Sequence, residues 1–444
     1  MAMGKGQSKY LERQIAICRD NDAISPRLYE EYGVNLGLRD ADGKGVLTGL
    51  TNISEVDGTK AQGGRNVPCE GELWYRGYKV QTLINSLGKS EPGFGKIAYL
   101  LLIGELPSDE SLKTFKASIR QYRKLPTNFT RDVIMKAPSA DIMNSMTRSI
   151  LTLASYDSMA KDASLENNLR QCLQLIGQFP MLAAYGYHAH VFANLDGSMY
   201  IHNPSPELST AENFLMMLRP DRSYTPVEAK TLDTALILHM EHGGGNNSTF
   251  TTRVVTSSGS DTYSTIGAAM SSLKGPKHGG ANIKVMNMMA DIRAHIKDYS
   301  DENEIAAYLN RILDRDAFDH KGLIYGMGHA VYTLSDPRER VFKKYVRELA
   351  AEKKRENDLL LYENIEKLAP GLINSKRRHP KPVCANVDFY SGFVYEMLDI
   401  PEELYTPLFA VARIVGWSAH RMEELICTDK IIRPAYMSVM ERLE

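Results

Sequence analysis

The sequence predicts an all-α fold with a minor β element near the N-terminus. Three observations support this prediction: helix-capping signals precede stretches with apolar residues at helical spacing, such stretches recur along the chain, and strand signals are sparse. With 444 residues, of which 43% are hydrophobic, the chain can bury a large core and form more than one lobe. We therefore expect a large helical protein with more than one domain.

Two capping signals predict helices beside chemically interesting residues. Residues 225–228 (TPVE) form a capping box, and the apolar-periodic stretch that follows stops at the triple glycine 243–245. This pattern puts His242 at a helix C-terminus. Residues 336–339 (DPRE) form a second capping box, which puts Arg338 in the first turn of a helix.

Other elements are predicted from periodicity. Further helices have an apolar period with a nearby cap or stop, and they cover Ile97 to Leu102, Asn213 to Leu218, and Pro407 to Glu424. Thr406 is the predicted N-cap of the last one. The best strand signals are rich in valine, threonine and aromatic residues, and they cover Val46 to Leu50 and Glu72 to Val80.

Charge, cysteine use and the N-terminal sequence restrict the class of protein. The net charge is −1, so a basic face for nucleic acid is not indicated. The five cysteines are scattered without a CxxC pair, which argues against a disulfide framework or a zinc ribbon and favours reduced thiols. Residues 1–10 contain no apolar signal region. The expected location is the cytoplasm.

Four acid/base residues stand in glycine-rich or turn-prone segments: His242 in HMEHGGGNNST, His278 in GPKHGGAN, His329 in GMGHAVY and Asp388 in NVDFYSG. Glycines beside a histidine let the backbone approach a ligand. No serine or cysteine nucleophile accompanies these residues. Three imidazoles and a carboxylate suit proton abstraction beside a carbonyl group.

Each of these motifs has a structural alternative. His239 and His242 are one helical turn apart and could bind a metal, but an HExxH motif is absent, and we expect no metal site. No phosphate-binding glycine motif is present either. His278 and His329 could be loop histidines, and Asp388 could be a helix cap. The order in which the motifs occur favours a common site.

That order resembles the citrate synthase family. The resemblance runs from about Thr48 to Pro434 and rests on these segments: VDG, LWYRGY, HMEHGGGNNST, GPKHGGAN, GMGHAVYTLSDPR, NVDFYSG and FAVARIVGWSAHR. The chain departs from the family pattern at Cys384-Ala385, where a tyrosine-proline pair is common, and at Ala435, where a second arginine is usual. The first forty or so residues match no common pattern.

The resemblance implies an almost wholly helical homodimer with a large and a small domain in each subunit. The large domain would comprise residues 1–279 and 391–444, and residues 280–390 would form the small domain on the coenzyme A side. Glycine-bearing segments between the domains could act as hinges when the site closes and excludes water.

The resemblance also implies a reaction: acetyl-CoA condenses with oxaloacetate and water to give citrate and CoA. A thioester methyl group is a weaker acid than a carboxylic acid by on the order of 15 pK units, or roughly 20 kcal/mol, so a carboxylate base needs help from an electrophile. By resemblance, Asp388 is the base, His278 is the electrophile at the thioester oxygen, and His329 polarises the ketone of oxaloacetate. A helix beginning after Gly279-Gly280 would keep His278 neutral.

The same family match assigns the substrate contacts. Oxaloacetate is a dianion, which arginine can bind bidentately, and the matching residues are Arg338, Arg413 and Arg433, with His242 adding a hydrogen bond. Arg433 would cross into the partner subunit of the homodimer. Contacts to CoA are expected from Gly326, Gly328, Lys376, Arg377 and Arg378, although the basic loop could equally be a solvated surface.

Three functions remain open at this stage. The first is a citrate synthase, the second a 2-methylcitrate synthase that uses propionyl-CoA, and the third a non-catalytic CoA-binding helical protein. The third is disfavoured because every acid, base and carboxylate-binding arginine that the resemblance implies is present. None of these functions needs a cofactor, since acetyl-CoA is a substrate, and no nucleic acid or membrane partner is expected.

Overall fold

A computed structural model describes residues 5–40, 43–88, 92–440 and 442 of the chain. Residues 1–4 of the N-terminal segment lie outside these ranges. The chain forms two compact units, residues 1–50 and 51–444. In the described residues of the first unit, the helices are α1 (Lys5–Asp22) and α2 (Pro26–Glu31).

The second unit is built mainly of helices. In chain order they are α3 (Val80–Asn85), α4 (Phe94–Ile103), α5 (Asp109–Gln121), α6 (Ile142–Leu153), α7 (Leu165–Asn194), α8 (Thr210–Leu218), α9 (Pro226–His239), α10 (Asn247–Ser257), α11 (Thr262–Leu273), α12 (Ala281–His295), α13 (Glu302–Leu313), α14 (Pro337–Lys353), α15 (Glu356–Ser375), α16 (Val387–Met397) and α17 (Tyr405–Cys427). The predicted all-α class is confirmed. No helix among the described residues is long and apolar enough to cross a membrane.

The only sheet in the described part of the chain has three antiparallel strands: β1 (Ser54–Gln62), β2 (Arg65–Tyr75) and β3 (Tyr78–Lys79). Gly63 and Gly64 join β1 to β2, and both have positive φ angles, 58° and 76°. Glycine adopts this backbone conformation without the penalty that a Cβ atom brings, which explains the tight turn. The register shifts between Asp57 and Thr59, so Gly58 lies at a bulge.

Helix α17 forms the centre of the second unit and packs against α4, α7, α9 and α10. Its buried residues run from Tyr405 to Glu424, including the large side chains of Trp417 and Arg421. Such an all-round buried helix can present polar groups to neighbours on several sides. Helix α9 packs against α14. His242 follows the C-terminus of α9, and Arg338 lies in the first turn of α14.

Two predicted elements are wrong. Val46 to Leu50 is not a strand, and Leu47 and Leu50 are exposed, because no neighbouring strand pairs with this segment in the described chain. Thr406 is not an N-cap: α17 begins at Tyr405, directly after a 3₁₀ turn, and Leu404 occupies the cap position. Thr406 Oγ1 instead donates a hydrogen bond to the carbonyl oxygen of Gly279 (3.1 Å).

Other boundaries differ in detail. Glu72 to Val80 covers the end of β2, a turn, β3 and the first residue of α3. The capping box of α9 forms as predicted, but that helix ends at His239, so His242 lies beyond its C-terminus. The predicted start of α14 is correct. Asp336 is the N-cap, and its side chain accepts a hydrogen bond from the amide of Arg338, the second residue of the helix.

Candidate active site

His242 lies in the loop that follows α9. Ser54, at the start of β1, ties this loop down: its Oγ accepts a hydrogen bond from the Gly243 amide (3.1 Å) and donates to Glu241 Oε1 (2.9 Å). The Nε2 atom of His242 is buried and makes no hydrogen bond within the described chain. Burial, and then the nearby Arg338 guanidinium, hold the pKa of His242 well below its usual range. A neutral imidazole with a free nitrogen is thus available to a ligand.

His278 lies in the turn between α11 and α12. Its Nε2 faces the N-terminus of α10, where Ser248 presents its backbone N–H (3.4 Å) and its Oγ (3.0 Å). An amide N–H can only donate, so Nε2 is the acceptor and Nδ1 carries the proton. Burial, followed by Arg413, lowers the pKa of His278 to about 4. The predicted helix after Gly280 is present, but the helix N-terminus in hydrogen-bonding contact with the ring belongs to α10.

His329 has its tautomer fixed by the backbone. Its Nδ1 accepts hydrogen bonds from the amides of Val331 (3.1 Å) and Tyr332 (3.2 Å), so the proton is on Nε2. Burial and Arg338 lower the pKa of His329 to about 4. Its ring lies 5.1 Å from the ring of His242, centroid to centroid. His329 therefore offers a neutral N–H donor beside His242.

A short backbone pairing joins the segments that precede His329 and Asp388. The Gly328 amide donates to the Cys384 carbonyl (2.7 Å), and the Asn386 amide donates to the Gly326 carbonyl (2.9 Å). Gly326 and Gly328 have φ angles of 80° and 92°, which favour glycine. This two-stranded contact fixes the segment with His329 against the segment that enters α16.

Asp388 occupies the first turn of α16. Asn386 is the N-cap of this helix and accepts a hydrogen bond from the Asp388 amide (3.0 Å), so Asp388 is not the cap. Burial is the largest effect on the Asp388 carboxyl group and raises its pKa, against the opposing effect of Arg338. A raised pKa makes the carboxylate a stronger base.

Two buried arginines interact electrostatically with Asp388. Arg338 pairs with Asp336 through Nε (3.0 Å) and through a terminal nitrogen (2.6 Å). Arg413 donates from Nε to the His239 carbonyl (2.8 Å), and its guanidinium lies 4.7 Å from the ring centroid of Phe409. Both guanidiniums keep donors in reserve for an anion.

Several residues of this site escaped the sequence reasoning. Tyr332 stacks on His329, Phe409 contacts the rings of both His239 and His278, and Asp336 is the partner of Arg338. Phe409 precedes Arg413 by one turn of α17, and this helical spacing was an available signal. Tyr332 and Asp336 belong to the segment GMGHAVYTLSDPR, but the sequence of that segment does not predict the side-chain contacts that they make.

Arg433 and the basic loop, residues 376–378, lie on the surface of the chain. Arg433 follows α17 in an exposed segment without regular secondary structure. Lys376 pairs with Asp314 (2.6 Å), and Arg377 and Arg378 are exposed. The structure therefore groups His242, His278, His329, Asp388, Arg338 and Arg413. Gly326 and Gly328 lie in the backbone pairing beside this group, and Arg433 and the predicted CoA contacts of the basic loop lie outside it.

This arrangement can remove a proton from carbon beside a carbonyl group. Asp388 supplies a base with a raised pKa, two neutral imidazoles supply N–H donors, and two buried guanidiniums can bind carboxylates. Fold and site together define an enzyme that can form and stabilise an enolate next to a bound dianion.

Comparisons with known proteins agree with this class. Residues 38–435 match the family described as "Citrate synthase, C-terminal domain". A citrate synthase from Synechocystis sp. is 33% identical over 397 residues, covering 89% of each chain. The 2-methylcitrate synthase 2 of Corynebacterium glutamicum is 34% identical, covering 88% of this chain and 92% of that protein. The chain belongs to the citrate synthase family and is an acyltransferase.

A solved structure supports the same fold. The citrate synthase of Thermoplasma acidophilum, in a ternary complex with carboxymethyl coenzyme A and oxaloacetate, has a TM-score of 0.72 and 26% sequence identity. The match covers 89% of this chain and 95% of that one.

Proposed function

We propose that this protein condenses acetyl-CoA with oxaloacetate and water to give citrate and CoA. The observation that carries the proposal is the His329 tautomer. Two backbone amides donate to Nδ1, which leaves the Nε2–H group to polarise a ketone. Arg338 is close enough to lower the pKa of this histidine. The relatives named citrate synthase support the choice of substrates. The reaction needs no cofactor.

The residues divide the chemistry between the two substrates. Arg338 and Arg413 bind the carboxylates of oxaloacetate, His242 adds a hydrogen bond, and His329 Nε2–H polarises the ketone oxygen. Asp388 takes a methyl proton from acetyl-CoA, while His278 Nδ1–H stabilises the thioester oxygen of the enol. The enol carbon then bonds to the ketone carbon, whose oxygen becomes the hydroxyl of citryl-CoA. Water cleaves the thioester and releases CoA.

Purified protein should release free CoA from acetyl-CoA only when oxaloacetate is present, because the enol has no acceptor otherwise. A thiol-trapping assay measures this release, with and without EDTA. CoA release that does not depend on oxaloacetate would identify a thioesterase instead. Loss of activity in EDTA would show that a metal is required, contrary to the proposal.

The second candidate substrate is propionyl-CoA, which the 2-methylcitrate synthase relatives support. Phe409 faces His278 with ring centroids 6.5 Å apart, where an extra methyl group would need room. We favour acetyl-CoA for this reason. Comparing kcat/KM for the two thioesters at saturating oxaloacetate decides between them.

We infer further that the enzyme is a homodimer in which Arg433 completes the partner's site. The described segment after Cys427 has no regular secondary structure, and Ile431, Tyr436 and Met440 on it are exposed apolar residues, as expected for an arm that packs on another subunit. By the same family argument, residues 280–390 close over the substrates, and Lys376, Arg377 and Arg378 meet the CoA phosphates. Five free thiols are compatible with a cytoplasmic location.

Mixed dimers test the role of Arg433. One chain carries Asp388→Asn and the other Arg433→Ala, with different affinity tags, and tandem purification isolates dimers with one chain of each kind. If Arg433 acts on the partner, one site is intact and activity should be about half of the parental value for two equivalent sites. Each homodimer should be nearly inactive. An inactive mixed dimer would place Arg433 in its own chain's site.

A further inference from the structure

Tyr332 lies at the centre of the proposed oxaloacetate contacts. It is fully buried, and its ring stacks on His329 with centroids 4.7 Å apart and an interplanar angle of 24°. The ring of His242 meets it edge to face at 5.5 Å, and the guanidinium of Arg338 lies 5.7 Å from its centroid. One aromatic ring thus touches three groups that are proposed to bind the keto acid.

The β1–β2 hairpin backs this ring. A Cβ atom on Gly71 would lie 2.7 Å from Cδ1 of Tyr332, and it would overlap the carbonyl oxygen of Ser335. A Cβ atom on Gly58, at the bulge, would overlap the carbonyl oxygen of Val331. The Tyr332 hydroxyl donates a long hydrogen bond to the Glu72 carbonyl (3.4 Å). The hairpin backbone therefore packs closely against the Tyr332 ring and prevents it from moving away from His329.

Backbone and ring of Tyr332 act on the same imidazole. The Tyr332 amide is one of the two donors that fix the His329 tautomer, and the ring covers one face of that imidazole. A displaced ring would let His329 tilt and would remove the aromatic surface beside Arg338. Side chains on a packed surface of this kind have few alternative rotamers.

We propose that Tyr332 is a positioning residue that holds His329 and Arg338, against the β1–β2 hairpin, in the geometry that binds the keto acid. The proposal rests on the proposed function, since it takes oxaloacetate as the substrate of these groups. Tyr332 acts through His329 and Arg338, so its effect should fall on oxaloacetate and spare the thioester.

The test compares KM values for the two substrates. Tyr332→Leu removes the ring and should raise the KM for oxaloacetate by about tenfold to a hundredfold, the range expected when a binding group is misplaced by about 1 Å. The KM for acetyl-CoA should stay within about threefold. Tyr332→Phe keeps the ring and loses only the long hydrogen bond, so it should stay close to the parental enzyme.

Two further variants separate positioning from a general loss of stability. Tyr263→Leu truncates another fully buried tyrosine, on α11, and should lower Tm without changing the ratio of the two KM values. Gly71→Ala retains Tyr332 but pushes on its ring and on the Ser335 carbonyl oxygen, just before Arg338, and should also raise the KM for oxaloacetate selectively. It provides the test if the leucine variant does not fold.

The outcomes are distinct. A parental enzyme without oxaloacetate-dependent CoA release would overturn the proposed function itself. An active parental enzyme whose Tyr332→Leu and Gly71→Ala variants keep the parental KM for oxaloacetate would overturn the positioning role. Equal increases in both KM values would do the same, because they would indicate a general distortion.

Discussion

Replacing Asp388 with asparagine is expected to lower kcat by about 10²- to 10⁴-fold, the contribution of a positioned general base. The amide keeps the shape of the carboxylate and its place in the first turn of α16, but it cannot accept a proton at neutral pH. Binding of oxaloacetate should change little, because the proposed contacts to that substrate come from His329 and the arginines. The CoA-release assay measures kcat, and calorimetry measures oxaloacetate affinity.

Isotope exchange measures the proton-abstraction step separately from the later steps of the reaction. With an oxaloacetate analogue that cannot react, the parental enzyme should exchange deuterium from the acetyl methyl group into water, and Asp388→Asn should not. Asp233→Asn is the matched control, since Asp233 is another buried carboxylate whose pKa burial raises, to about 6, and it binds the amides of Gly93 and Phe94. Exchange at the parental rate in Asp388→Asn would assign the base elsewhere.

Replacing His278 with alanine is expected to lower kcat by about 10²- to 10³-fold, or about 3 to 4 kcal/mol in the transition state, the effect of losing one oxyanion donor. The reason is that Nδ1–H stabilises the enolate oxygen only as charge develops there. His295→Ala is the matched control: it removes an exposed histidine at the end of α12, the helix that follows His278. Its kcat should equal the parental value.

The pH dependence gives an independent check on His278. Its pKa is lowered to about 4, so the ring is protonated only below that value and is neutral throughout the range from about pH 6 to 8. Protonation of His278 should therefore cause no change in kcat over this pH range. A decrease in kcat with a midpoint near 6.5 that disappears in His278→Asn would contradict the neutral-donor role.

The helices were predictable where local signals determine them. The Thr225 capping box depends on a few neighbouring residues and was found where expected, and the helix predicted over Ile97 to Leu102 ends at the left-handed Gly104. Val46 to Leu50 failed because β-propensity has no effect without a partner strand. The β1–β2 hairpin was missed although Gly63-Gly64 is a recognisable turn signal.

The site was predictable in its reactive groups and unpredictable in their surroundings. Chemistry restricts which residue types can serve, so motif order indicated His278, His329 and Asp388. The contact between His278 and the N-terminus of α10 joins residues thirty positions apart and depends on how α10 and α11 pack. Spacing alone contains no information on such a contact. The roles assigned to these residues remain predictions for the experiments above.

The pairing between residues 326–328 and 384–386 also bears on how this sequence can vary. Its two hydrogen bonds use the Cys384 carbonyl and the Asn386 amide and leave the amide of Ala385 unused. A proline at position 385, which is common in the family, has no amide hydrogen and would break neither bond. Position 385 can thus exchange alanine for proline without loss of the pairing, whereas Gly326 cannot accept a side chain, because a Cβ atom there would lie 2.8 Å from the ring of Phe389. Sequence divergence at the centre of an active site can leave its geometry untouched when the backbone alone makes the connection.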